Sequence, residues 1–190
     1  MASEKRLKTV TLIGMSGVGK SSIALQLSKK LQRPCIDTDK LLVRQLHCSL
    51  QEYLKIHSAH ELLLEEESVI LNFKARRASV VATGGSVVYS EKAMSHLKAF
   101  SLVLYLKDSY ENIVARTTLK DRGIFSPNHQ NFEEIFKERL SLYDRYADLT
   151  IALPFPFNPD QIIRDIIRKL PQQCLERNAT PSLPKTSRSQ

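Results

Sequence analysis

Short apolar runs alternate along this chain with longer segments whose apolar residues recur every three or four positions. KTVTLIG (8–14) is an apolar, β-branched run of strand length, and in SSIALQLSKKLQ (21–32) Ile23, Ala24, Leu27 and Leu31 fall on one helical face. RPCIDTD (33–39) predicts a brief second strand ending in two acids. Leucines at 41, 42, 46, 50, 54, 62, 63 and 64 predict helix throughout residues 40–72. ASVVATGG (78–85) is continuously apolar, as a parallel strand covered on both faces must be. SEKAMSHLKAF predicts a helix capped by Ser90, SLVLYLK (101–107) a fourth strand, and SYENIVARTTLK a helix capped by Ser109. FEEIFKERLSLYDRYA (132–147) is an amphipathic helical pattern, DLTIAL a fifth strand, and DQIIRDIIRKL (160–170) a closing helix before Pro171.

Strands alternating with helices predict an α/β fold: a parallel five-stranded sheet flanked by helices on both sides. Ligands of such sheets bind beyond the C-terminal ends of the strands, so the chemistry is expected there. A chain of 190 residues, 42% apolar and 25% charged, suits one domain. That domain is expected to span 1–176, with 177–190, rich in Pro, Ser and Thr, as a disordered tail.

Composition narrows the partners. No apolar run approaches the ~20 residues needed to cross a bilayer, and MASEKRLK at the start is too short and polar for a signal peptide. A cytoplasmic protein with no membrane partner is expected. Of the net charge of +8, three charges (Arg177, Lys185, Arg188) sit in the tail and a net two in the first eight residues. The remainder suits anionic phosphate ligands and is too small for a nucleic-acid-binding stripe. Cys35, Cys48 and Cys174 are odd in number and widely spaced, which predicts free, mostly buried thiols. His57 and His60 have no third ligand in the pattern and are expected at the surface.

Glycine placement locates the chemistry. The six glycines fall in three places: GMSGVGKSS (14–22), Gly84 and Gly85 in VVATGGSVV, and Gly123 in KDRGIF. Gly14 to Ser21 reads G-x-x-x-x-G-K-S between a predicted strand and a predicted helix. That is a phosphate loop of the P-loop NTPase type: backbone N–H groups surround a polyphosphate, Lys20 reaches its outer phosphates and the Ser21 hydroxyl meets Mg²⁺. Gly14, Gly17, Val18, Gly19, Lys20, Ser21 and Ser22 form the candidate nucleotide site, with ATP and Mg²⁺ the implied ligands. Asp37, Asp39, Gly84 and Gly85 also fall at strand C-termini and should share one cleft with that loop, an arrangement suited to phosphoryl transfer. DRGIFSPNHQN (121–131), polar between two helical patterns, is expected to be a mobile loop.

With these motifs in order, the chain resembles the shikimate kinases over roughly residues 8–170. GMSGVGKSS matches the family's phosphate loop, IDTD its D-x-D, ATGGS its glycine turn, KDRG its lid, and ERLSLYDRYAD (138–148) its R-x-x-x-Y…A-D signature. The resemblance implies a monomeric kinase that moves the γ-phosphoryl of ATP to a ring hydroxyl of shikimate. It implies a substrate-binding helical insert at about 39–72 and a lid loop at about 118–131. By the same resemblance Lys20, Asp39 and Arg122 are catalytic, Asp39 binding the acceptor hydroxyls and taking a proton and Arg122 folding over the transferred phosphate. Asp37 holds Mg²⁺ through water beside Ser21, Arg116 stacks on adenine, Arg139 grips the substrate carboxylate, and Gly84 and Gly85 form the substrate turn. On the residues alone, Asp39 also suits a helix N-cap, Arg139 a partner for acids on its own helix, and Arg122 an exposed loop position.

The chain departs from the family at two positions. Ser86 stands where the glycine turn has its third glycine. The family's G-E-x-x-F-R-x-x-E motif lines up with HELLLEEESVI (60–70) so that Leu63 occupies the place of a carboxylate-gripping arginine. Losing one member of a buried charge pair costs about 2–5 kcal/mol. Either Lys40, Arg44 or Lys74 serves instead, or the acceptor is another polyol, hydroxy acid or nucleoside. A non-catalytic nucleotide-binding homologue is the third alternative, and the retention of Lys20, Ser21, Asp37, Asp39 and Arg122 speaks against it.

Overall fold

The computed structural model describes residues 8–75, 77–116 and 131–176. Each apolar run becomes a strand: β1 (Thr9–Ile13), β2 (Cys35–Asp37), β3 (Val80–Ala82), β4 (Ser101–Lys107) and β5 (Leu149–Ala152). All pairings are parallel, in the order β2-β3-β1-β4-β5. From β1 the chain runs out to β2, returns to β3 on one side, and only then crosses to β4 on the other. The winding therefore reverses at β1, the position where such sheets leave a crevice above the strand ends. β1 is buried along its whole length and β3 likewise, as the apolar runs require. Fully buried side chains such as Leu12 and Leu104 each contribute roughly 1.5–3 kcal/mol.

Helices α1 (Lys20–Leu31) and α8 (Pro159–Lys169) pack together. Three others, α4 (Ala59–Asn72), α5 (Glu91–Phe100) and α7 (Phe132–Tyr146), gather around a 3₁₀ turn at Val87–Tyr89. The short α6 (Tyr110–Arg116) follows β4. Side-chain caps set where several helices start: Ser90 accepts from the Ala93 amide, Asn131 from Glu134 and Asn158 from Gln161.

Residues 40–72 are not one continuous helix. The segment divides into α2 (Thr38–Leu46), α3 (Leu50–Tyr53) and α4. His47, in the left-handed region at φ 55°, ends α2. Ser49 with Glu52, and Ser58 with Glu61, then form capping boxes that open α3 and α4. Each S-x-x-E was readable in the sequence as a helix start. The leucines of this segment build a small core of their own, with Leu42, Leu62 and Val69 buried and Leu41, Leu46, Leu50, Tyr53 and Leu54 packed on them.

The thiols are free, but burial holds for Cys174 only: Cys48 is half-buried and Cys35, on the edge strand β2, is exposed. Among the described residues no helix is long and apolar enough to cross a membrane.

Candidate active site

The phosphate loop connects β1 to α1, and its three glycines take positive φ: 142° at Gly14, 86° at Gly17 and 101° at Gly19. At Gly14 the geometry also leaves no room, because a Cβ would lie 2.7 Å from the Leu106 carbonyl oxygen. Helix α1 begins with no side-chain cap and no acid in its first turn. Its leading N–H groups and the positive end of its dipole therefore face the cleft without an internal anion, as phosphate binding requires. Lys20 is buried, and its ammonium donates to the carbonyls of Gly14 (2.6 Å) and Met15 (2.9 Å), which holds it over the loop. A cleft of about 480 Å³ is lined by Ser16, Gly17, Gly19 to Ser22, Asp39, Gln51, Thr83 and Gly85, while the Val18 side chain is buried in the core.

The two acids separate in role. Asp37 ends β2 and caps α2, its Oδ1 accepting from the amides of Asp39 (3.1 Å) and Lys40 (3.3 Å). Asp39 is thus not the helix cap; it sits in the first turn and lines the cleft. Burial pushes its carboxyl above the usual range, Lys20 opposing and Asp37 adding to the shift. Lys40, Arg44 and Lys74, the cations considered as substitutes for a second arginine, are exposed and do not line the cleft.

A third acid was not singled out from sequence. Glu66 of α4 is buried, with Oε2 accepting from the Ser86 hydroxyl at 2.5 Å and Oε1 having no hydrogen-bond partner among the described residues. Burial pushes it up to about 7; Ser86 opposes, Asp39 adds, and Arg139 and Lys20 oppose. The signal for it was present: Leu62, Glu66, Val69 and Ile70 follow helical spacing, so an acid occupies the buried stripe. Leu63, the position of the missing arginine, is half-buried on the same helix.

Gly84 and Gly85 are needed for close approach rather than for backbone conformation. A Cβ on Gly84 would overlap Glu66 Oε1 and stand 2.8 Å from Asp39 Oδ1; on Gly85 it would stand 2.7 Å from Ser16 Oγ and 3.2 Å from an Arg139 guanidinium nitrogen. This turn is therefore the wall where the acids, the phosphate loop and α7 meet. The R-x-x-x-Y spacing explains the α7 contribution, because residues four apart share a helix face. Arg139 is buried at 1% exposure with its guanidinium 4.9 Å over the Tyr89 ring, and Tyr143 donates to the Gly85 carbonyl at 2.6 Å. It is no surface partner for the acids of its own helix. The A-D pair is structural: Asp148 accepts from the Val103 amide (2.9 Å) and from Lys98 (2.6 Å).

Arg116 ion-pairs with Asp108 and lies 4.7 Å over the Phe157 ring, while the same ring lies 3.0 Å from where a Gly19 Cβ would be. Arg116 and Phe157, the latter not singled out from sequence, thus stand together beside the phosphate loop. Arg122, Gly123 and the expected lid lie outside the described residues, apart from Asn131, the cap of α7.

Comparison with known proteins agrees with this arrangement. The family model for shikimate kinase matches residues 16–171. Shikimate kinase 1 of Yersinia enterocolitica is 33% identical over 153 residues, covering 78% of this chain and 87% of the relative. Shikimate kinase of Enterococcus faecalis is 27% identical over 168 residues, 86% of this chain and 99% of the relative. Among solved structures, shikimate kinase from Acinetobacter baumannii in complex with shikimate shares the fold at a TM-score of 0.78, with 24% identity over 86% of this chain and 93% of that one.

Proposed function

The chain belongs to the shikimate kinase family, and from that membership we propose that it transfers the γ-phosphoryl group of ATP to a ring hydroxyl of shikimate, giving shikimate 3-phosphate. The observation that carries this is the sharing of one cleft by an uncapped helix N-terminus, Lys20, Asp39 and the Gly84–Gly85 turn. Phosphoryl transfer needs little covalent help; orientation and neutralisation of the equatorial oxygens supply most of the rate.

In this reading the loop amides and Lys20 hold the β- and γ-phosphates. The acceptor lies against Gly84 and Gly85, where Asp39 accepts a hydrogen bond from its reacting hydroxyl. That oxygen forms the new bond to the γ-phosphorus as the bond to the bridging β-oxygen breaks, ADP leaves, and the proton passes to Asp39. The raised affinity of Asp39 for a proton supports that role. Arg139 faces the acceptor's carboxylate, Arg122 closes over the transferred group, and Arg116 with Phe157 receives the adenine. Among the described residues no three His, Cys, Asp or Glu side chains converge as a cage, which suits a magnesium ion that arrives on the phosphates. The Ser21 hydroxyl and, through water, Asp37 would hold that ion, whose chemistry is to neutralise charge between the β- and γ-oxygens. The chain acts as one monomeric kinase unit; the expected tail at 177–190 lies outside the described residues.

One observation favours a second reading. With Leu63 at the arginine position, Arg139 is the cation nearest Gly85 among the described residues, so an acceptor without a carboxylate would fit the same chemistry. ADP release from magnesium-ATP, measured with shikimate and with a panel of other polyols, hydroxy acids and nucleosides, separates the readings. Shikimate should support the highest kcat/KM. A higher value for a panel compound would replace shikimate as acceptor, and nucleotide binding without turnover on any of them would make the protein a non-catalytic homologue.

A further inference from the structure

The two departures from the family pattern, Leu63 and Ser86, meet at one group. Glu66 lies one helical turn beyond Leu63, and positions three apart on a helix are neighbours on its surface. A guanidinium at position 63 would therefore stand within reach of the Glu66 carboxylate. Ser86 reaches the same carboxylate from the other side, across 20 positions of sequence, at 2.5 Å. Both residues are buried, at 4% and 6% exposure. Ser86 also occupies the N-cap position of the Val87–Tyr89 turn, where a serine hydroxyl ordinarily accepts from a backbone amide, yet it makes no such bond. Its hydroxyl is committed to Glu66 instead. On the far side Glu66 Oε1 occupies the space a Cβ on Gly84 would take, with Asp39 Oδ1 2.8 Å from the same point, so Glu66 packs directly behind the turn that the acceptor meets.

We infer that Ser86 and Leu63 are a compensating pair centred on Glu66: the Ser86 hydroxyl supplies the donor that an arginine at position 63 would supply, and so positions the Gly84–Gly85 turn for the acceptor. Ser86 is a positioning residue, acting through Glu66. The inference rests on the shikimate kinase reading for the acceptor it names, but the pairing itself does not.

A double-mutant cycle on the full chain tests it. Ser86→Ala removes the donor from a buried carboxylate, and leaving such a group unsatisfied corresponds to about a tenfold change in an equilibrium. The KM for shikimate should rise about tenfold. KM for magnesium-ATP should stay within about twofold, and Ser86→Thr should retain the wild-type value. In a Leu63→Arg background the same Ser86→Ala change should alter the shikimate KM by less than about twofold, because the arginine now pairs with Glu66. Should Leu63→Arg fail to fold, Glu66→Met serves as the second background: its side chain offers the Ser86 hydroxyl no carboxylate acceptor, so Ser86→Ala should again lose its effect. Thermal unfolding of the same variants without ligand reads the pairing independently of turnover: Ser86→Ala should lower Tm in the wild type and not in either second background. Equal effects of Ser86→Ala in all backgrounds, or none in the wild type, would overturn the pairing. Absence of turnover with shikimate in the wild type would overturn the acceptor assignment while the unfolding cycle still decides the pairing.

Discussion

Glu66 is a carboxyl group removed from water between Ser86 and Asp39, and its proton equilibrium bears directly on stability. A carboxyl whose pKa is raised on folding is equally protonated in both states below its unfolded value, so it costs nothing there. The cost grows as pH rises from that value, 4.5, through the folded value of about 7. Across that window its contribution is a loss on the order of 3 kcal/mol. Glu66→Gln, which cannot ionise, should therefore gain stability relative to wild type as pH rises from 4.5 to 7, read as the difference in urea midpoints. A constant difference would show that Glu66 titrates in the folded protein as it does in the unfolded chain. This residue also marks what single positions reveal in sequence. Lys20, Ser21, Asp39, Gly84 and Arg139 were legible because each belongs to a spaced motif. Glu66 was within reach as well, because the motif that puts an arginine at 63 puts its last acid at 66, but it is one of three consecutive acids, and that it turns inward depends on the phase of α4, set by Leu62, Val69 and Ile70. Gln51 and Phe157 reach the site only through the placement of α3 and of the loop after β5, and no local pattern announces either.

At the scale of elements, the strand–loop–helix unit is the part of the fold whose shape follows most directly from its residue types. A glycine is demanded at position 14 twice over, by φ 142° and by the Leu106 carbonyl 2.7 Å from any Cβ. Gly14→Ala should cost at least about 1–3 kcal/mol, the usual cost of such backbone strain, and should weaken ATP binding along with it. Equilibrium denaturation and nucleotide titration of the variant measure both; wild-type values for each would mean that the loop adjusts freely. The strands and the helices outside residues 40–72 were readable from periodicity and end signals to within a few residues, except that the end of the helix expected over 109–120 lies outside the described residues. The leucine-rich segment was not, because a run of apolar residues at helical spacing hides the breaks at His47 and at Leu54–Ser58. The serine–glutamate pairs that mark those breaks satisfy only a few backbone groups each, but they decide where α3 and α4 begin.

Across the whole molecule, the strand order β2-β3-β1-β4-β5 brings the loop after β1, the acids after β2 and the turn after β3 to one end of the sheet. The sequence predicted the five parallel strands and a cleft shared by the phosphate loop, Asp39 and Gly85, whereas Asp37, which caps α2, does not line that cleft, and the order of the strands required the structure. The described residues form two unequal cores, a large one around the sheet and a small one within α2, α3 and α4. Elements resting on a small core open more readily than those on a large one. Amide hydrogen exchange should therefore be faster in 38–72 than in β1 and β4 by several orders of magnitude in rate, and should slow in that segment when acceptor binds; uniform protection in the free protein would contradict a separately anchored insert. The central claim, that this cleft transfers phosphoryl from ATP to shikimate with Lys20 as its essential cation, is tested most directly by phosphorus NMR of the products formed from magnesium-ATP and shikimate. ADP and a new shikimate phosphomonoester should accumulate in equal amounts with the wild-type protein, and Lys20→Ala should form them at least about a hundredfold more slowly. Formation of no phosphomonoester by the wild type, or equal rates for the two proteins, would contradict the account.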